Sequence, residues 1–216
     1  TQYYLGYKQI NGSYSHVNDL HFPTDGKNLE VSQSTLKIIT KKEQVEGTAL
    51  DPLKGFYSST FNYSTGVVNT GHVFKQKHGL FQAKIRFDSA KPVIHGFYLS
   101  AEGMVPHIDI AKFSYADKAL NVNLFNANGK GIEQHNGTVK GIKPAEKYYI
   151  YSLEWTPEKL TWKVNGVVVK EQERQLPDVP MFISLGSGVS EDAENPEMPA
   201  SMEVDWVKAF KPANGQ

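Results

Sequence analysis

The stretch HGLFQAKIRFDSAKPVIHGFYLSAEGMVPHIDIAKF, residues 78–113, decides the fold. Apolar and polar residues alternate in three runs within it, and the segments DSAKP and AEGMVP separate the runs. Alternation with a period of two is typical of strands, and segments rich in Pro, Gly and Ser are typical of turns. The stretch therefore predicts three consecutive antiparallel strands, of which HIDIAKF is the last.

The strand HIDIAKF cannot follow strict alternation at low cost, because Lys112 would then lie on the same face as two isoleucines. One extra residue bulging near Ala111 removes this conflict. The apolar face then holds Ile108, Ile110 and Phe113. The opposite face holds His107, Asp109 and Lys112. We therefore predict a bulged strand that presents three polar side chains together.

The bulk composition narrows the class of protein. The chain has 216 residues and no cysteine, and Lys plus Arg equals Asp plus Glu at 23 each. The absence of cysteine excludes disulfides and thiolate metal sites, and the balanced charge favours neither nucleic acid nor an anionic membrane as partner. No apolar run of 18 residues indicates a membrane span. We expect one domain over residues 1–216, with no nucleic-acid partner and no transmembrane segment.

The rest of the chain also reads as strands and turns. Residues 29–42 predict a hairpin with its turn at Gln33 and Ser34, and residues 43–56 predict a loop because they contain Asp-Pro and Gly. Asn165-Gly166 between alternating apolar residues predicts another tight hairpin. No segment has a sustained helical period. The sequence therefore predicts an all-β fold.

Three blocks of sequence carry a family resemblance. The first is FNYSTGVVNTGHVF followed by HGLFQAKIRF (residues 61–74 and 78–87), the second is YYIYSLEWTPEKLTWKVNGVVV (148–169), and the third is MEVDWVKAF (202–210). In this order they resemble glycoside hydrolase family 16, of the concanavalin A-like lectin/glucanase superfamily, most strongly over residues 29–210. The resemblance implies a jelly-roll β-sandwich of two curved antiparallel sheets, with a glycan-sized groove on its concave side.

The same resemblance assigns roles to positions in HIDIAKF, where the family has Glu-x-Asp-x-x-Glu. His107 stands at the position of the nucleophile, Asp109 at the middle position and Lys112 at the position of the acid/base. A retaining glycosidase needs two carboxyl groups about 5 Å apart, and a lysine with a pKa of about 10.4 is a poor general acid at neutral pH. The resemblance therefore implies a glycan-binding protein that lacks the family's hydrolase activity.

Two other functions stay open. One is a divergent hydrolase that acts within a β-linked polysaccharide, charged ones included, and uses another carboxylate; Glu102, in the loop before His107, is the substitute candidate besides Asp109. The other is a structural or protein-interaction domain without a sugar partner. At the residue level, the polar triplet has a plainer interpretation as an exposed salt bridge between Asp109 and Lys112.

By their positions on or beside the concave strands, seven residues are candidates for glycan binding: His95, Tyr98, His107, Asp109, Lys112, Tyr115 and Phe125. His and Lys would favour an acidic glycan that bears uronate or sulfate groups. A metal site built from His95, His107 and Asp109 is a further alternative, although no tight ligand spacing supports it.

The resemblance also suggests a cofactor and a location. Asp205, on the final strand, matches a position at which the family binds a structural calcium through oxygen ligands. No other cofactor is expected. We expect the partner to be a polysaccharide or oligosaccharide and the protein to be a monomer. We further expect an extracytoplasmic bacterial protein, secreted or anchored at the cell surface, although the sequence contains no signal peptide.

Overall fold

A computed structural model describes residues 13–115, 119–127, 129 and 131–212 of the chain. Within these ranges the secondary structure consists of sixteen strands and no helix, so no helix that could cross a membrane is found there. The strands are β1 (Ser15–His16), β2 (His21–Pro23), β3 (Leu29–Ser32), β4 (Thr35–Asp51), β5 (Gly55–Thr65), β6 (Val67–Asn69), β7 (Gly79–Phe87), β8 (Val93–Ser100), β9 (His107–Ser114), β10 (Ala119–Ala127), β11 (Ile132–Val139), β12 (Tyr149–Trp155), β13 (Leu160–Val164), β14 (Val167–Gln172), β15 (Phe182–Val189) and β16 (Ala200–Phe210).

These strands form two sheets that face each other. The larger has the order β14-β13-β12-β7-β16-β4-β5-β2, with β1 and β3 paired to β4, and the smaller has the order β11-β10-β9-β8-β15-β6. Nearly all pairs are antiparallel, but β1 runs parallel to β4 and β2 runs parallel to β5. The all-β jelly-roll prediction is confirmed, with these two parallel pairs as the difference from an entirely antiparallel sandwich.

The core lies between the sheets and follows the alternation of the strands. In β7 every second residue from Phe81 to Phe87 is buried, which is the pattern of a strand with one face in the core. Trp155 and Trp162 are the largest fully buried side chains, and both belong to the ten-stranded sheet. Each such side chain contributes roughly 1.5–3 kcal/mol by leaving water. The two sheets therefore share one continuous apolar core.

The tight hairpins occur where turn residues predict them. Gln33 and Ser34 both have positive φ between β3 and β4, and Asn165 and Gly166 have φ of 48° and 81° between β13 and β14. Positive φ at both central residues suits the right-handed twist of the flanking strands.

The prediction of a loop over residues 43–56 is wrong. This segment continues β4 to Asp51 and begins β5 at Gly55, so only residues 52–54 turn. The pairing of Val45 with Phe61 and of Ala49 with Tyr57 explains the error. Such cross-strand contacts stabilise extended backbone, and they outweigh the turn preference of Gly and Asp outside the turn itself.

Candidate functional site

The central strand of the site is β9, and it carries the predicted bulge. Asp109 pairs with Asn123 and Lys112 pairs with Asn121, so two residues of β9 oppose the single residue Val122 of β10. The register also shifts against β8 at the same place. Ile108, Ile110, Ala111 and Phe113 are buried in the core cluster. His107, Asp109 and Lys112 line one cavity on the other face. The bulge prediction is confirmed.

A buried tryptophan holds the bulge from the opposite sheet. The indole Nε1 of Trp162 donates to the backbone oxygen of Asp109 at 2.9 Å. A bulge interrupts the ladder of backbone hydrogen bonds, and a buried carbonyl left without a donor costs free energy. Trp162 donates to the Asp109 carbonyl and so ties the bulged part of β9 to the opposite sheet.

The carboxylate of Asp109 forms the floor of the site. It is 4% exposed, its Oδ1 accepts a hydrogen bond from His107 Nε2 at 2.8 Å, and its Oδ2 accepts one from Asn123 Nδ2 at 2.8 Å. Burial alone raises the pKa of Asp109, but the hydrogen bonds from His107 and Asn123 and the charges of His107 and Lys112 outweigh burial and lower the pKa below its ordinary value. Asp109 is therefore an ionised carboxylate with both oxygens occupied.

The imidazole of His107 is fixed from several sides. Because ionised Asp109 can only accept, Nε2 of His107 carries the proton, and Nδ1 lies 3.0 Å from the hydroxyl of Ser100. The ring stacks on Tyr98, with centroids 4.8 Å apart, and meets the edge of Phe125 at 5.6 Å. Both nitrogens and a ring face are thus engaged within the protein.

A groove crosses the outer face of the six-stranded sheet. It comprises two cavities of ≈ 350 Å³ and ≈ 520 Å³ that share Lys112. The first touches β6, β15, β8 and β9, and the second touches β9, β10 and β11, so together they reach every strand of this sheet. Six strands at about 4.8 Å spacing span about 24 Å. The groove is long enough for an extended polymer rather than a compact ligand.

The wider cavity is lined by cross-strand pairs that are mostly polar. Asn121 lies opposite Thr138, Asn123 opposite Asn136, and Phe125 opposite Gln134. The hydroxyl of Thr138 donates to Oδ1 of Asn121 at 3.0 Å. Amide and hydroxyl groups beside an aromatic ring suit the hydroxyls and the apolar face of a sugar.

Of the seven predicted glycan-binding residues, Tyr98, His107, Asp109, Lys112 and Phe125 line the groove. His95 is a correction, because its ring is fully buried on the core side of β8, stacks on Phe87 and lies 2.7 Å from Ser187 Oγ. Tyr115 lines neither cavity; its backbone N–H donates to Val93.

The structure places two other charged groups differently from what the sequence predicts. Glu102 forms an ion pair with Lys75 and lines neither cavity. Asp109 is buried and bonded to His107 and Asn123, so the exposed Asp109–Lys112 salt bridge is not the arrangement observed. Lys112 acts on Asp109 through its charge instead.

The side chains predicted to hold a metal have hydrogen-bond partners within the protein. Oδ2 of Asp205 accepts a hydrogen bond from Lys84 Nζ at 2.6 Å, so an ammonium already neutralises the carboxylate that a calcium ion would need. Among the described residues, no group of three His, Asp or Glu side chains suits a metal ion. The alternative of His95 with His107 and Asp109 fails because His95 faces the core. The structure therefore gives no support to the calcium site predicted at Asp205.

Sequence reasoning missed several residues of the site. Ser100 and His107 pair directly across the AEGMVP loop, so the hairpin itself places them together. Asn121 and Asn123 alternate on the neighbouring strand, which is a local signal for the same face. Asp19, His21 and Pro23 also line the ≈ 350 Å³ cavity, but nothing near them in sequence indicates that contact.

Together, the two-sheet sandwich and the long groove define a jelly roll with a surface cleft of the lectin/glucanase type. The comparisons give the family: the profile described as "Glycosyl hydrolases family 16" matches residues 17–208, and the chain belongs to that family. It is 25% identical over 133 residues to the Crh-like protein CRH11 of Candida albicans and 24% identical over 229 residues to the kappa-carrageenase of Pseudoalteromonas carrageenovora.

These matches cover different shares of the proteins concerned. They take in 60% and 85% of this chain, but only 28% of the Crh-like protein and 56% of the carrageenase. Among solved structures, LamAcat of Zobellia galactanivorans superposes with a TM-score of 0.79 at 20% identity, over 97% of this chain and 90% of that chain. At this identity the superposition establishes the fold.

Proposed function

We propose that this protein binds a polysaccharide or oligosaccharide in the groove of the six-stranded sheet and does not perform the hydrolysis of its family. His107 and Lys112 stand at the positions that the family motif gives to its two catalytic carboxylates. The observation that carries the proposal is the state of His107: its Nε2–H donates a hydrogen bond to ionised Asp109, its Nδ1 contacts the Ser100 hydroxyl, and its ring stacks on Tyr98.

The chemistry of glycoside hydrolysis explains why this arrangement argues against catalysis. The transition state resembles an oxocarbenium ion, which negative charge stabilises. Lys112 contributes positive charge in the groove, and ionised Asp109 has no proton to give a leaving oxygen. Loss of a whole catalytic group costs several kcal/mol of transition-state stabilisation.

The groove also suggests the character of the ligand. Lys112 lies where the two cavities meet, so its ammonium can reach a ligand in either one. A uronate or sulfate group on the glycan would pair with it. The kappa-carrageenase among the relatives is consistent with a charged polysaccharide. With this function we expect an extracytoplasmic protein that acts as a monomer.

A second candidate function is divergent hydrolysis, and one observation favours it. Asp19 lines the same cavity as Asp109, so two acidic residues border one space. If this pair is catalytic, Asp19→Asn and Asp109→Asn each abolish the release of reducing ends. If the protein only binds, neither variant changes a rate that is already zero.

The deciding experiment incubates the protein with β-glucans, galactans and charged polysaccharides. We expect retarded mobility in affinity electrophoresis without release of reducing ends. Release of reducing ends would overturn the proposal in favour of the hydrolase. If the protein shows neither retarded mobility nor release of reducing ends, it is a domain without a sugar partner. The double variant His107→Glu with Lys112→Glu tests the same site, because hydrolysis appearing in it means that the groove still aligns a glycosidic bond with these positions.

A further inference from the structure

The groove differs at its two ends, and the difference bears on which part of a glycan it accepts. At one end lies β11, the edge strand of the six-stranded sheet, whose Gln134, Asn136 and Thr138 line the wider cavity. At the other end, Asp19, His21 and Pro23 line the narrower cavity together with Val67 of β6. Asp19, His21 and Pro23 belong to the segment before β3, which is not part of the six-stranded sheet.

The backbone of this segment is held at the β6 side of the groove. Strand β2 pairs with the end of β5, so Pro23 lies beside Thr65, two residues before β6 begins. Ser15 Oγ donates to the backbone oxygen of His21 at 2.6 Å, and the backbone N–H of His16 donates to Asp19 Oδ2 at 2.7 Å. The segment is therefore a fixed part of the fold.

The side chain of His21 extends over the floor of the groove. The backbone N–H of Val189 donates to His21 Nδ1 at 3.2 Å, which anchors the ring on β15. A Cβ at Gly188 would lie 2.9 Å from His21 Cε1 and 3.0 Å from Nε2, so the ring rests directly on this glycine. The space that an extended polymer would need above Gly188 is thus filled by an imidazole.

The floor of the narrower cavity contains three glycines, each next to the side chain of another residue. Gly96, Gly186 and Gly188 line this cavity, and a Cβ at these positions would meet the side chains of Tyr98, Val67 and His21, respectively. Lys112 borders the cavity on the far side, and Asp19 borders it next to His21. The carboxylate of Asp19 can accept hydrogen bonds from hydroxyls and repels a negatively charged group.

We infer that the groove is closed at its β6 end by Asp19 and His21, and that it therefore receives the terminal residue of a glycan chain instead of the middle of the chain. The terminal sugar is neutral and presents free hydroxyls to Asp19, while any acidic substituent lies further along the chain, near Lys112. This inference rests on the proposed function, because it specifies which part of the glycan occupies the same groove.

Isothermal titration with chains of different length tests it. Laminarin and kappa-carrageenan are titrated intact and after partial acid hydrolysis to shorter chains. For a site that takes chain ends, the number of binding sites per gram rises by the same factor by which hydrolysis multiplies the ends. The same number of sites per gram before and after hydrolysis would overturn the inference while leaving glycan binding intact.

Variants add a second, matched comparison. We expect His21→Ala to open the groove, so that sites per gram no longer depend on chain length. His16→Ala is the control, because His16 belongs to the same segment but lines neither cavity, and it should behave like the wild type. Absence of binding to these glycans and to the wider panel, in the wild type and both variants, would instead overturn the proposed function. The wild-type comparison stands even if a variant fails to fold.

Discussion

The burial of His95 predicts a specific dependence of stability on pH. The ring is fully buried, and burial lowers the pKa of His95 to about 3, with a backbone hydrogen bond at Asp88 opposing the shift in part. In the unfolded chain a histidine titrates near pH 6.5. Between these two values the unfolded state binds one more proton than the folded state, so the folded state loses stability as the pH falls.

The magnitude follows from this proton difference. One proton changes the free energy of unfolding by about 1.4 kcal/mol per pH unit, so His95 accounts for a loss of about 2–3 kcal/mol between pH 6 and pH 4. Below about pH 3 both states carry the proton and this contribution no longer changes.

Urea denaturation of the wild type and of His95→Gln at several pH values measures the effect. Gln keeps a hydrogen-bonding side chain next to Ser187 but does not titrate, so any packing cost is independent of pH. We expect the variant's free energy of unfolding to fall less than that of the wild type, by about 2–3 kcal/mol over pH 6 to 4. His21 and His78, whose pKa values burial also lowers, are present in both proteins and cancel in the comparison.

If the free energy of unfolding depends on pH in the same way for both proteins, the reasoning is refuted. That result would mean that His95 can be protonated in the folded state. The same variant tests the corrected assignment of His95. Because the ring faces the core, His95→Gln should leave glycan affinity unchanged when both proteins are folded. A large loss of affinity would instead mean that His95 contacts the glycan in the groove.

Three further predictions concern other charged groups. Asp109→Ala leaves buried donors unpaired and should lower the free energy of unfolding by about 2–4 kcal/mol in urea, whereas Lys112→Ala should stay within about 0.5 kcal/mol; equal effects would contradict the buried network. Lys112→Gln should reduce the salt dependence of the affinity for a charged glycan, and an unchanged salt slope would remove Lys112 from recognition. Because Lys84 pairs with Asp205, calcium and EDTA should give the same Tm; a rise with calcium that Asp205→Asn abolishes would establish the calcium site.

The fold could be predicted from the sequence because the signals for it are local. Alternation with a period of two, the Asn165-Gly166 turn and the conflict at Lys112 are each visible within a few residues, and the last of these located the bulge. The error at residues 43–56 has the opposite origin. There the pairing between β4 and β5 overrides turn-forming residues, and the pairing is not visible in either strand alone.

The residues of the site could be predicted from the sequence only in part. His95 and Tyr98 lie three residues apart on β8, so strict alternation puts them on opposite faces; the polarity of the histidine suggested the solvent face instead. The buried position becomes favourable because Ser187, which pairs directly with His95 from β15, offers a hydrogen bond. That partner is 92 residues away along the chain.

By itself, the sequence determined the class of fold, the bulged strand and the identity of the polar triplet, because side-chain period and steric conflict act between neighbours in the chain. Only the tertiary structure decided which polar groups meet and where the groove ends. His21 reaches the backbone of Val189 across 168 residues. A contact of that separation depends on how the sheets stack and which strands cross between them, and no local pattern specifies this.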